Sequence, residues 1–282
     1  MKTIIVAIDY SPAALNAAQY ATNMALGINA NLFLLHVFQT PIIYSKVPLA
    51  LSDESIIHVA ANEEHIKDEA DKNLMKLKDE LIMKTGGKIN VDAEMRFGVF
   101  FGELKNVCKK IQPYAVIMGS QGTTSAERFV FGGHAIFAMT HLKWPLITVP
   151  LNAKYSFIKK VALACDFDGA IDITPFDEIE LLVKDLDAEL NVVNTGVNES
   201  VDEKVSAEVD LIKEKLASLN PAYHFITSED TDEAIMDFAE TNNIDLLIVL
   251  PKKHDFFEKL MHRSHTKQFV LHSHIPVMAL HQ

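Results

Sequence analysis

Lys160-Val161-Ala162-Leu163-Ala164-Cys165-Asp166, KVALACD, repeats past the midpoint of the chain the pattern that opens it, Thr3-Ile4-Ile5-Val6-Ala7-Ile8-Asp9. Each is a short apolar run that ends in aspartate, as a strand buried in a parallel sheet reads. A helix start follows the first run directly: Ser11 is an N-cap, Pro12 takes the first helical position, and Leu15, Ala18, Thr22 and Ala25 mark one helical face. Thr174-Pro175 repeats that start after the second run, six residues later in register.

The correspondence continues outward from these two strands. Asn31–Val37, Val91–Phe97, Tyr114–Met118 and Leu146–Val149 complete five strands in the first half. Ile66, Ala70, Leu74, Leu77 and Leu81 recur at spacings of three and four, which predicts a long amphipathic helix over roughly Asp53 to Lys84. Leu104–Ile111 reads as part of another. In the second half Leu190–Val193, Tyr223–Ile226, Asp245–Leu250 and Ile275–Leu280 fall in the same order, and Val205, Val209, Ile212 and Leu216 outline a helix. Strands alternating with helices or long loops imply parallel sheets with helices on both faces. One large doubly wound domain would not need matching strand ends, so the chain reads as an internal duplication. Its expected domains are residues 1–150 and 157–282, with the junction near Pro150–Ser156. The second copy is shorter, lacking a counterpart of Phe38–Ser52 and having a shorter second helix.

Bulk composition narrows the function. The 282 residues are 49% hydrophobic and 23% charged, and the formal net charge is −12. That charge opposes binding to nucleic acid backbones or to anionic membranes through broad electrostatics. It does not oppose one small anion held by backbone N–H groups. No run approaches the apolar length of a membrane span, and the N-terminal apolar run is too short for a secretory signal. Cys108 and Cys165 stand far apart in apolar surroundings, which suits two reduced thiols in a cytoplasmic protein.

The chemistry concentrates after the fourth strand, in GSQGTTSAERFVFGGH, Gly119–His134. Gly119, Gly122, Gly132 and Gly133 fall within fifteen residues of a chain otherwise sparing with glycine. Ligands of open parallel sheets sit beyond the carboxyl ends of the strands, where this loop begins. Two uses of the glycines stay open on local chemistry: tight turns, or a backbone cradle for a phosphate at the start of the helix beginning near His134. Neither a P-loop nor a Gly-x-Gly-x-x-Gly fingerprint is present.

Gly119-x2-Gly122-x9-Gly132 resembles the nucleotide loop of the universal stress protein family, Gly-x2-Gly-x9-Gly-Ser/Thr. Val6–Ser11, Leu34–Val37, Val116–Met118 and Trp144–Val149 are similar to that family as well, and the resemblance covers both halves. It implies two tandem doubly wound α/β domains, each a Rossmann-like five-stranded parallel sheet of strand order 3-2-1-4-5. The last strands of the two would pair to form an internal pseudo-dimer. It further implies ATP or a related adenine nucleotide, with or without Mg2+, in the first domain. Asp9 and the Val37 backbone would then lie by the adenine, with Ala7 lining the pocket. Met118 and Gly119 would border the ribose, and Gly122, Gly132, Gly133 and His134 would cradle the phosphates. The family's Ser/Thr is Gly133 here, so one phosphate hydrogen bond is missing. Arg128 is a supplementary candidate.

In the second copy Pro251-Lys252-Lys253-His254 stands where Gly119–Gly122 stands in the first. Aligning Pro145 with Pro276 puts Arg263 opposite Gly132 and Ser264 opposite Gly133. Proline has a fixed φ and no N–H, so the second domain is expected to lack the ATP site. The basic residues there, Lys252, Lys253, His254, His262, Arg263, His265 and Lys267, suit either another anion or a solvated face. The histidine spacings match no strong zinc pattern, and no metal ligand is assigned. Phe38–Ser52 is apolar for a connection and reads as a lid, a docking surface or plain packing. No catalytic residue emerges: Asp9 has no partner near the phosphates, Glu127 has none evident, and no nucleophile triad falls at the strand ends. The expected role is regulatory, with at most slow ATP hydrolysis. The rival readings are a tandem protein for another anionic or apolar ligand, or a protein–protein adaptor. Homodimerisation beyond the pseudo-dimer is left open.

Overall fold

The computed structural model describes residues 1–38, 53–120, 133–155, 157–165, 167, 171, 174–195, 203–228, 230–251 and 273–281. In chain order the first half contains β1 (Thr3–Ala7), α1 (Pro12–Ile28), β2 (Asn31–Phe38), α2 (Asp53–Thr85), β3 (Val91–Phe97), α3 (Phe100–Ile111), β4 (Ala115–Gly119), α4 (Gly133–His141) and β5 (Leu146–Val149). The second contains β6 (Lys160–Ala164), α5 (Phe176–Leu186), β7 (Glu189–Thr195), α6 (Glu203–Leu216), β8 (Ala222–Ile226), α7 (Thr231–Thr241), β9 (Leu246–Val249) and β10 (Val277–Ala279).

The ten strands among the described residues form one sheet, ordered β3-β2-β1-β4-β5-β10-β9-β6-β7-β8. Each half therefore has the order 3-2-1-4-5, parallel throughout, and the halves meet where β10 runs antiparallel to β5. At the seam Leu146 faces Ala279, Ile147 faces Met278 and Thr148 faces Val277. Period-two alternation sends the strand side chains into two cores. Ile4, Val6 and Ile8 pack with α1 and with Leu74, Leu77 and Leu81 of α2, and that core continues into Val161, Leu163 and α5 and α6. Ile5, Ala7 and Leu35 pack on the other face with α3 and α4, in a core that continues to Ile235 and Phe238 of α7. Burying one such aliphatic side chain is worth about 1.5–3 kcal/mol, so the continuous cores hold the halves together as well as each half.

The duplication is visible in single hydrogen bonds. Beyond β1 the N–H of Ile8 donates to Leu35 O over 2.8 Å; beyond β6 the N–H of Cys165 donates to Val193 O over 3.0 Å. The carbonyl of Ile8 then accepts from His36 Nδ1 at 2.7 Å, and that of Cys165 from Asn194 Nδ2 at 2.8 Å. Different side chains thus close the same strand end in the two copies.

Helix starts follow the sequence in one copy and not in the other. Ser11 Oγ accepts from the N–H of Ala14, with Pro12 at the first helical position. In the second copy the N-cap position falls on Pro175 and not on Thr174. Pro175 takes φ −80° and ψ 77°, outside the helical range, and α5 begins at Phe176 without a side-chain cap. Asp177 and Glu178 in its first turn complement the helix dipole instead. Helix α7 has no counterpart among the sequence expectations. Asp230 caps it by accepting from the N–H groups of Asp232 and Glu233.

Candidate functional site

The carboxyl ends of β1, β2 and β4 lie side by side. Ala7 pairs with Leu35 on β2, and Val6 pairs with Ile117, one residue before Met118 on β4. Ala7 and Met118 belong to the core shared with α3 and α4, and Val37, Phe100 and Phe101 pack against it partly buried. Three of the expected pocket residues therefore share one face of the sheet, at adjacent strand ends.

Asp9 follows at the exit of β1 and is exposed. Its Oδ1 accepts from the N–H of Ser11 at 2.9 Å, which turns the chain into α1. Between them Tyr10 takes a positive φ of 63°. Its ring packs 4.9 Å from the His36 ring, and its hydroxyl donates to Ala70 O of α2 at 2.6 Å. Burial, assisted by Asp71, pushes the Tyr10 hydroxyl up to about 12.

Gly119 is glycine for a reason the sequence does not disclose. A Cβ there would stand 2.7 Å from the Ala13 carbonyl carbon and 2.8 Å from the Ala14 nitrogen. The first turn of α1 therefore rests directly on the end of β4, and Gly119 makes room for that contact without a positive φ. Gly133 is the opposite case. It opens α4, and among the described residues nothing lies within 4 Å of the place a Cβ would take. The hydroxyl that the family pattern carries at this position is missing, and no described residue occupies its place. Next to it, the His134 ring stacks on Phe100, with centroids 4.8 Å apart and planes 24° from parallel. That contact ties the start of α4 to the start of α3.

Sequence reasoning passed over Phe100 and also Arg96, which pairs in register with Val37 and is held by Glu94 and Glu103. The signal available was their place at and just after the third strand end, again on the ligand side. Gly122, Gly132, Glu127 and Arg128 lie outside the described residues, as do 39–52 and the basic segment 252–272. Among the described residues no three His, Cys, Asp or Glu side chains group as metal ligands, and no helix is long and apolar enough to cross a membrane. Both cysteines are buried, and burial pushes the Cys108 thiol up to about 12, so it is no nucleophile at neutral pH.

The model of the universal stress protein family matches residues 1–150 and 178–281, both copies of the repeat. The chain belongs to the universal stress protein family. A universal stress protein of Methanocaldococcus jannaschii is 28% identical over 149 residues, which is 52% of this chain and 81% of the relative. Among solved structures, a universal stress protein from Archaeoglobus fulgidus is similar over 99% of this chain and 98% of its own, with TM-score 0.64 and 16% identity. One from Pseudomonas aeruginosa covers 99% and 93% at TM-score 0.57 and 11% identity. At these identities the solved structures establish the fold, and over nearly the full length of both chains they establish it for the tandem arrangement.

Proposed function

We propose that the first half of this universal stress protein binds an adenine nucleotide, ATP in the first instance, and acts as a regulatory binding protein. The observation that carries the reading is the convergence of Ala7, Val37 and Met118 on one face at adjacent strand ends, with the exposed Asp9 carboxylate at their rim. An apolar slot with one acceptor at its edge suits a purine that carries an exocyclic amine. Helix α4 begins next to it, and the N–H groups of a helix start favour phosphate. The proposed contacts are Asp9, Val37 and Ala7 for the base, and Met118 and Gly119 for the ribose. Gly122, Gly132, Gly133 and His134 would serve the phosphates, with Mg2+ as an optional companion of the bound nucleotide. His134 does so with its backbone, since its ring is stacked on Phe100. No side chain in this set activates a water, so turnover is slow at most.

Residues 1–150 and 157–282 are taken as the two domains, the second serving as structural partner through the β5–β10 seam. The test is to purify the chain without added nucleotide, denature it and identify released small molecules by mass spectrometry, with Gly122→Val alongside. Adenine nucleotide near one per chain, lost in the variant, supports the reading. Absence of nucleotide, together with no binding at millimolar Mg-ATP, overturns it.

A further inference from the structure

The end of the chain reaches back into the first half. His281 Nε2 lies 2.7 Å from the carbonyl oxygen of Met139, 142 positions earlier in sequence. The partner is a carbonyl, so Nε2 carries the proton and donates. Met139 is in the last turn of α4, where helix carbonyls have no intrahelical partner. The neighbouring Ala138 carbonyl is taken by the N–H of Leu142 at 2.8 Å. His281 thus supplies a donor from the second half to a free helix end of the first.

We infer that His281 is a positioning residue for the nucleotide site, acting through α4. The inference rests on the nucleotide reading above. Helix α4 has only nine residues, too few to be stable without tertiary support. Its apolar face is held by Ala135, Ala138 and Met139, and its flank by Phe137, which meets Phe101 edge-on at 4.8 Å. The His281 bond fixes the C-terminal turn along the axis. Gly133 opens the same helix about 9 Å away at 1.5 Å per residue, so a shift of that turn moves the opening N–H groups.

The arrangement is one-way. In the alignment that places Pro145 opposite Pro276, Pro150 stands opposite His281. Pro150 has no N–H to donate, and its own carbonyl accepts from Asn16 Nδ2 at 2.8 Å. The copy without loop glycines therefore steadies the copy that has them, and receives no equivalent bond from that position.

The experiment compares the full chain with His281→Ala and His281→Gln, measuring ATP affinity by calorimetry and amide exchange of α4 without nucleotide. For His281→Ala, affinity falls about five- to tenfold, the scale of one lost hydrogen bond. Exchange of the α4 amides accelerates while that of β5 and β10 does not change. Glutamine presents an N–H at similar reach and restores both. Undiminished affinity in His281→Ala, or α4 protection equal to that of the wild type, overturns the positioning role alone. No ATP binding by the wild-type chain overturns the nucleotide reading itself and the positioning role with it.

Discussion

Lys2 Nζ lies 2.5 Å from Asp185 Oδ1, joining the residue before β1 to helix α5 of the other half. The Asp185 carboxylate also acts on the hydroxyl of Tyr114, which burial first and Asp185 second push far above the usual tyrosine range. One carboxylate of the second half thus pairs with Lys2 of the first and disfavours ionisation of Tyr114. Asp185→Ala is expected to cost about 1.5–3 kcal/mol, the range for hydrogen bonds to charged groups. Urea unfolding followed by tryptophan fluorescence measures it. A loss under about 0.5 kcal/mol, the ordinary range for surface substitutions, would show that the halves are held without this contact.

Gly119 and Gly133 are predicted to respond oppositely to a side chain. Gly119→Ala drives a Cβ into the backbone of Ala13 and Ala14, and overpacking of this kind costs about 1–3 kcal/mol. Gly133→Ser meets no described residue and leaves stability within about 0.5 kcal/mol. It also restores the hydroxyl of the family pattern, so ATP affinity rises up to about tenfold. Calorimetric titration of both variants decides; a Gly133→Ser chain with unaltered or weaker binding would mean that no phosphate lies at the start of α4.

The strands were legible because five β-branched or aliphatic runs recur with the same ends, whereas the seam came only from the resemblance to the universal stress protein family, which implied pairing of the last strands. The α1 start was legible in Ser11-Pro12 because a cap is a local event. Thr174-Pro175 is a similar hydroxyl–proline dipeptide, yet Pro175 stays outside its helix, so the like dipeptide did not repeat the geometry. Helix α7 was obscured because Ile235, Phe238 and Ala239 lie among acidic residues in a short segment. The placement of Ala7, Val37 and Met118 at adjacent strand ends was legible from the strand pattern. The role of Gly119 was not, because it depends on how closely α1 approaches β4, a tertiary distance without a local signature. The stacking of His134 on Phe100 was hidden for the same reason.

The paired closures at the ends of β1 and β6 make a further prediction. Asn194 is 1% exposed and donates to the carbonyl of Cys165, while its Oδ1 has no partner among the described residues. Asn194→Ala leaves the Cys165 carbonyl buried without that donor and is expected to cost about 1–3 kcal/mol. In the first half His36→Asn keeps a donor for the Ile8 carbonyl, so it should be less destabilising than His36→Ala. Chemical denaturation of the three variants tests the equivalence. If His36→Asn and His36→Ala lose the same stability, the hydrogen bond is not what closes the strand.

High pH should unfold the chain sooner than its net charge alone would. Burial pushes Tyr10 to about 12, aided by Asp71, and Cys108 to about 12. Tyr20 is raised further, chiefly by burial and then by Tyr155 and Asp245. A group whose folded pKa is raised gives up no protons to unfolding while the pH lies below its unfolded value. Above that value the unfolded chain releases the proton first, and stability declines until the folded pKa is reached. The unfolded values are 9.0 for the thiol and 10.0 for the tyrosines, so stability holds near neutrality and drops as pH rises from about 9. Urea midpoints at about pH 8, 9.5 and 11 follow the decline, and a flat profile would refute it. Tyr20→Phe separates one contributor. The Tyr20 hydroxyl is buried without a hydrogen-bond partner among the described residues, so its removal should leave stability at pH 8 within about 1 kcal/mol or raise it, and make the alkaline decline shallower.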